Sequence, residues 1–370
     1  MKKINVLVAK SSGGVYSVVQ KLVQSMTKNK INLELLSFDN KVISSVSMFF
    51  HIIKSHKRNS NDECFILMHF SAIFIGFFLH LCGFRNLIIV FHTDLVGYYK
   101  TSNVLKRSII RLVLFVFNRN PIVFVSKESM KRSTQFFNIT NAHYIYNIHD
   151  TKQNEVLKHG KSLISNKCVT FGVVSRLHKD KNIDFIILLI RHLNLLGVRV
   201  KLLIFGEGPE KSALTDYVSK LECSGCVSFI GHSNDRESIY NSFDALISMS
   251  RLEGLPTVIL EAFEYRVPVF FSDCHSGPRE LLLPTTPLLR KTASFDVSRR
   301  GFLVRPLTPL RPAYSMKLES NTFDYVDYLL EFIERLNTKG FGDFELSQEF
   351  DSEYVVNRWL TLIDRVSGDS

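Results

Sequence analysis

Short β-rich runs alternate with longer stretches of helical character along this whole chain, and that rhythm restricts the fold more than any other feature. In the first half the runs fall at residues 4–9, 32–37, 65–68, 87–91, 122–125 and 143–146, each followed by a turn or a helix-like segment. A second set falls at 169–174, 200–205, 227–230, 245–248 and 268–271, interleaved with helical stretches such as 183–196 and 210–221. Strands that alternate with helices predict parallel, doubly wound α/β sheets covered on both faces.

At 370 residues the chain is too long for one ordinary core and suits two domains. Residues 151–166 turn polar and lose their periodicity, which reads as a linker. The expected boundaries are 1–160 for an N-terminal Rossmann-like domain, 167–345 for a second, and 350–370 for a C-terminal helix packing back toward the first. That helix, 353–366, is amphipathic and holds the only tryptophan, Trp359. Two such domains are expected to face a cleft, with ligands at the carboxyl ends of the strands.

Charge divides the two halves. The net charge is +11, yet residues 1–150 hold 19 Lys and Arg against 7 Asp and Glu, while the other 220 hold 27 against 28. A basic half implies an anionic partner: nucleic acid, a membrane surface or a phosphorylated substrate. Nucleic acid is disfavoured, because the cations are interleaved with Phe, Leu and Ile and no nucleic-acid-binding motif occurs. Residues 105–119, LKRSIIRLVLFVFNR, set Lys106, Arg107, Arg111 and Arg119 around an apolar helix, a composition that suits a membrane surface or a core helix with charged ends.

Residues 64–84 run for 21 positions without a formal charge. His69, Ser71, Gly76, His80 and Gly83 interrupt that run, so a strand, a turn and a helix explain it better than a membrane span. The start, MKKINVLVAK, reads as a first strand and not a secretory leader. Six scattered cysteines suit reduced thiols in the cytoplasm; Cys223 and Cys226 form a lone CxxC without a second ligand pair.

The chemistry gathers at turns that follow strands. The first strand ends in Ser11-Ser12-Gly13-Gly14, where paired glycines let backbone N–H groups approach an anion at a helix start, or serve close packing. Neither this turn nor Gly206-Glu207-Gly208-Pro209 completes the dinucleotide GxGxxG pattern. Arg176 and Lys181 flank a turn after the run 171–174, well placed to neutralise a diphosphate or to sit on a solvated basic loop. In EGLPTVILE, Glu253 and Glu261 stand with seven residues between them, the second among Ile259, Leu260, Ala262 and Phe263. A carboxylate on the buried side of a helix is costly, and a hydroxyl-rich ligand accounts for it better than stability does. No Asp-Xaa-Asp triplet occurs, so no divalent metal is expected.

The ordered run Arg176…Lys181, Gly206-Glu207-Gly208-Pro209, Glu253…Glu261 and Ser276-Gly277-Pro278-Arg279-Glu280 resembles the C-terminal domain of family-4 retaining glycosyltransferases of the GT-B fold. The resemblance covers residues 169–283 closely. It implies that Arg176 and Lys181 hold a donor diphosphate, that Glu253 faces the hydroxyls of the transferred sugar, and that Glu261 binds the ribose. It further sets the backbone of Gly254, Leu255 and Pro256 beside sugar and phosphate, and Gly206, Gly208 and Pro209 near the base. In the first half, VFHTDL matches a family segment whose histidine, here His92, lies beside the sugar, and Asn147 in YIYNIHD matches a frequent asparagine. Two glycines of the family pattern are replaced, by Asn182 after the lysine and by Arg266 in the turn before Pro268.

The function implied is metal-independent, retaining transfer of a hexose or N-acetylhexosamine from a UDP- or GDP-linked donor to a glycan acceptor. Glu253 and His92 are the candidate catalytic pair, with Gly13 and Gly14 added to the donor-binding set. The basic first half points to a polyprenyl-diphosphate-linked acceptor at the inner face of the cytoplasmic membrane, in lipopolysaccharide, O-antigen or capsule assembly. A phosphorylase or epimerase of the same layout, and a non-catalytic nucleotide- or glycan-binding protein, remain the alternatives.

Overall fold

The computed structural model describes residues 3–10, 14–29, 31–39, 41–56, 63–68, 70–149, 168–307 and 313–366. The chain divides into two compact units, Met1–Asp150 with Ser347–Ser370, and Thr151–Leu346. The expected linker and Gly13 lie outside the described residues.

The first unit runs β1 (Lys3–Lys10), α1 (Gly14–Lys28), β2 (Leu33–Asp39), α2 (Val42–Ser55), β3 (Glu63–Leu67), α3 (Phe70–Leu81), β4 (Leu87–Phe91), α4 (Leu95–Thr101), α5 (Val104–Val116), β5 (Ile122–Phe124), α6 (Lys127–Phe137) and β6 (Ala142–Tyr144). Its six strands pair in the order β2-β1-β3-β4-β5-β6, all parallel. The central β4, LIIVF, is buried at every position, as a parallel strand covered on both faces must be. The step from β1 to β2 goes one way and every later step the other. Right-handed crossovers therefore put α1 on one face and α2, α3 and α5 side by side on the opposite one.

The uncharged stretch 64–84 resolves into β3 and the α3 helix, which buries Ala72, Ile73, Ile75 and Leu79. No helix among the described residues is long and apolar enough to cross a membrane. Helix ends follow local chemistry. Asn103 caps α5 by accepting from the Lys106 N–H at 3.0 Å, and Ser126 caps α6 by accepting from Ser129 at the same distance.

The second unit runs β7 (Val169–Val174), α7 (Ile183–Leu195), β8 (Val200–Phe205), α8 (Lys211–Lys220), β9 (Val227–Gly231), α9 (Arg236–Asn241), β10 (Ala245–Ser248), α10 (Thr257–Glu264), β11 (Val269–Ser272), α11 (Pro278–Leu282), β12 (Phe295–Val297), β13 (Gly301–Val304) and α12 (Asp324–Thr338). Its sheet order is β12-β13-β11-β10-β7-β8-β9, parallel except for the β12–β13 pair. No long apolar run in the sequence announces β12 and β13: both are short, and β13 exists by pairing with β11. Helix α7 is nearly all apolar because the sheet and neighbouring helices enclose it. A last helix, α13 (Ser352–Val366), packs on α1 and returns the chain to the first unit, with Trp359 buried. All six cysteines are free; Cys64, Cys223 and Cys274 are buried and the other three half-buried.

Candidate functional site

The second unit gathers its charged residues at the carboxyl ends of β7, β10 and β11. After β7 the backbone hugs the turn that follows β8: Ser175 N–H donates to Phe205 O and Leu177 N–H to Glu207 O, both at 3.0 Å. The approach is so close that a Cβ on Gly206 would lie 1.9 Å from Ser175 O, and one on Gly208 2.3 Å from Leu177 O. These two glycines are thus required by loop-on-loop packing, whatever else the turn does. Pro209 beside them is exposed.

A single 3-10 turn, Lys179–Lys181, follows, closed by Asn182 in the left-handed conformation at φ 48°. Asparagine is a residue that tolerates this backbone where the family pattern has glycine. Its side-chain amide donates to Met249 O at 2.8 Å, and Arg251 N–H donates to Asp180 O at 2.8 Å. Those two bonds dock the turn on the segment leaving β10. Lys181 Nζ consequently meets Glu253 Oε1 at 2.5 Å, with both side chains mostly shielded from solvent. Residues 72 positions apart in sequence, assigned by the resemblance to diphosphate and sugar, form one ion pair. Arg176, at the mouth of the same loop, is exposed and has no ion-pair partner among the described residues.

Gly254, Leu255 and Pro256 are buried and lead into α10. Pro256 occupies the N-cap position and offers no capping side chain; its carbonyl accepts from Ile259 N–H at 3.0 Å, which leaves the Thr257 and Val258 amides of α10 without a side-chain cap. The turn after β11 presses onto this segment. Ser276 Oγ donates to Glu253 O at 3.2 Å, and at Gly277 (φ 98°) a Cβ would lie 2.5 Å from Pro256 Cδ.

Glu261 on α10 is held by two residues of α9. Tyr240 OH donates to Oε2 at 2.8 Å and Arg236 Nη2 lies 3.2 Å from Oε1. The Tyr240 ring stacks on Tyr265 with centroids 5.5 Å apart and planes at 4°. Burial, and then the Glu261 carboxylate, push the Tyr240 hydroxyl well above its ordinary pKa, which keeps it protonated and donating. Neither Arg236 nor Tyr240 is among the residues the sequence reading singled out. They sit in a run, RESIYNSF, that has no motif, and only the fold brings them to Glu261.

Arg279 of the Ser-Gly-Pro-Arg-Glu run is fully buried. It reaches Asp273 at 2.5 Å and Asp296 at 2.8 Å, while Lys291 adds a contact to Asp273 at 3.3 Å and the Thr292 N–H one at 2.9 Å. This network clamps the segments 273–279 and 291–296 together, a structural duty; Glu280 beside it is buried as well.

His92 and Gly14 belong to the first unit. His92 is half-buried just past the end of β4, and Gly14 is the exposed first residue of α1.

Two parallel α/β units of this kind make up the architecture called GT-B. Residues 156–286 match the family model of glycosyl transferases group 1. The match covers 131 of the 370 residues. The chain is 24% identical over 243 residues to an uncharacterized glycosyltransferase of Methanocaldococcus jannaschii, a match covering 64% of this chain and 59% of that protein. It is 27% identical over 161 residues to the amylovoran biosynthesis glycosyltransferase of Erwinia amylovora, covering 44% of this chain and 45% of that one. The matches thus span about half the length of these curated relatives. Among solved structures it is similar to HepE of Anabaena in complex with UDP, with a TM-score of 0.66, 16% identity, and 99% and 100% of the two chains covered. That likeness is one of fold.

Proposed function

We propose that the protein is a retaining glycosyltransferase that moves a hexose or N-acetylhexosamine from a UDP-linked donor to a glycan acceptor without a metal ion. The observation that carries this reading is the Lys181–Glu253 pair beside the uncapped amides of α10, within the segment that matches the family. In this reading the second unit binds the donor. As the glycosidic bond breaks, negative charge grows on the departing diphosphate, and Arg176, Lys181 and the α10 amides stabilise it. Glu253 orients sugar hydroxyls, exchanging part of its contact with Lys181 for them, and Glu261, held by Arg236 and Tyr240, takes the ribose. Gly254, Leu255 and Pro256 line sugar and phosphate, and Gly206, Gly208 and Pro209 lie toward the base. Retention follows if the departing phosphate oxygen and the acceptor hydroxyl share one face of the sugar.

The first unit, in the same reading, binds the acceptor, with His92 positioning sugar and acceptor and Gly13 and Gly14 offering backbone amides. UDP as the base is supported by the UDP bound in the similar HepE structure. A role in surface polysaccharide assembly is supported by the likeness to the amylovoran enzyme. The positive first half supports a polyprenyl-diphosphate-linked acceptor and peripheral attachment at the inner face of the cytoplasmic membrane.

Thermal melts with UDP, GDP and ADP, followed by nucleotide-release assays with their sugars, test this. UDP at about a hundred times its Kd stabilises the folded chain by about 2.7 kcal/mol. Lys181→Ala and Glu253→Gln each lower turnover by about a hundredfold or more. Release of sugar 1-phosphate instead of nucleotide would identify a phosphorylase, and UDP binding without any turnover a non-catalytic binder.

A further inference from the structure

Eleven of the 19 exposed large apolar side chains among the described residues lie on α2, α3 and α5, which adjoin one another on one face of the first unit. Each helix buries one stripe against the sheet and turns a second stripe to solvent. The outer stripes include Ile43 and Phe50 on α2, Phe74 and Phe78 on α3, and Leu112 and Phe115 on α5. The aromatic rings run on between helices, from Phe50 to Phe49 at 5.4 Å, to Phe78 at 6.1 Å and to Phe74 at 5.0 Å. Ile43 is 84% and Phe115 81% exposed, values far from those of a half-covered core edge. A contiguous apolar surface on this scale marks an interaction site.

Its charge identifies the occupant. The three helices carry no Asp or Glu at all, whereas Lys54 of α2 and Lys106, Arg107 and Arg111 of α5 lie on them, and Lys41 and Arg119 stand at their ends. Lys41, Lys54, Lys106, Arg111 and Arg119 are exposed and make no ion pair among the described residues. Helices with apolar outer stripes whose charged residues are all basic have the composition of segments that lie in the plane of a membrane surface, aliphatic stems and rings in the lipid and cations among the headgroups. A second copy of this chain fits poorly, because two such faces pressed together oppose cation to cation.

We infer that the α2–α3–α5 face docks on an anionic lipid bilayer. The inference rests on the reading of a membrane-bound acceptor given above and adds the surface that would hold the protein there. Cosedimentation of the full chain with phosphatidylcholine vesicles, with and without phosphatidylglycerol, tests it. Anionic vesicles bind the protein about tenfold or more tightly than neutral ones, and added salt weakens the binding. Phe74→Ser combined with Phe115→Ser lowers vesicle binding about tenfold, and Lys106→Glu combined with Arg111→Glu removes the preference for the anionic lipid. All four positions are exposed, so both variants keep the wild-type melting temperature and its rise with UDP. Absence of vesicle binding, or binding unchanged in both variants, overturns the inference while a persisting UDP shift leaves the transferase reading intact. A dimer in light scattering that the serine variant abolishes also overturns it, in favour of self-association. Vesicle binding without any nucleotide effect would fail the transferase reading and keep the surface.

Discussion

The two units share a parallel α/β plan and use charge in opposite ways. In the second, cations and carboxylates are nearly balanced and partnered with one another: Lys181 with Glu253, Arg236 with Glu261, Arg279 with Asp273 and Asp296. In the first, α2, α3 and α5 hold no carboxylate, and Lys54, Lys106 and Arg111 are exposed beside their apolar stripes. Paired charges fix geometry, because each partner limits where the other can go. Unpaired cations on an apolar face fix no geometry of their own and attract whatever is large and negative. The first arrangement suits a small ligand with defined atoms, the second an extended surface.

The contrast is broken most severely at Arg279. Arg279→Met leaves Asp273 buried with one cation fewer and is expected to cost about 3–5 kcal/mol, read as the loss in a denaturant melt. Arg111→Met on α5 should change stability by no more than about 0.5 kcal/mol. Equal effects at the two sites would erase the distinction between paired and unpaired charge. A smaller change comes from Tyr240→Phe, which removes a hydrogen bond to the Glu261 carboxylate and is expected to cost about 1.5 kcal/mol, with weaker UDP binding by titration calorimetry. Unchanged UDP affinity would detach Glu261 from the donor.

The smallest effect is at Arg266 and has the opposite sign. Arg266 follows α10 with φ 55°, and the N–H of Val267 closes back on Ala262 O at 2.8 Å, the geometry of a helix stop normally held by glycine. Arg266→Gly is expected to raise stability by about 0.5–1 kcal/mol. Loss of stability would mean that the arginine side chain does more than occupy the turn.

Much of the fold was legible because buried parallel strands are written as apolar runs and their helices as amphipathic or fully apolar stretches. That held for β4, β7 and β8, and for α7. It failed for β12 and β13, whose few residues become strands only when β11 is there to pair with. At the site, Asn182 was legible as a substitute for glycine, and it does adopt the left-handed backbone. Gly206 and Gly208 were read for a ligand, whereas their contacts with Ser175 O and Leu177 O already require glycine. Arg236 and Tyr240 carried no signal, since an arginine and a tyrosine in a short polar helix look the same whether or not a carboxylate waits opposite.

Sequence alone carries the two α/β sheets, a family resemblance over residues 156–286, the order of the charged residues along the strand ends and the imbalance of charge between the halves. Those properties are local or additive: a periodicity, a motif, a sum. It takes the packed fold to make Lys181 and Glu253 one pair, to hold Glu261 from α9, to turn Arg279 into a clamp, and to bring the outer stripes of three separate helices onto one face. Each of these joins residues far apart in the chain, and such distances are set by how turns dock and helices pack, which no stretch of sequence specifies alone.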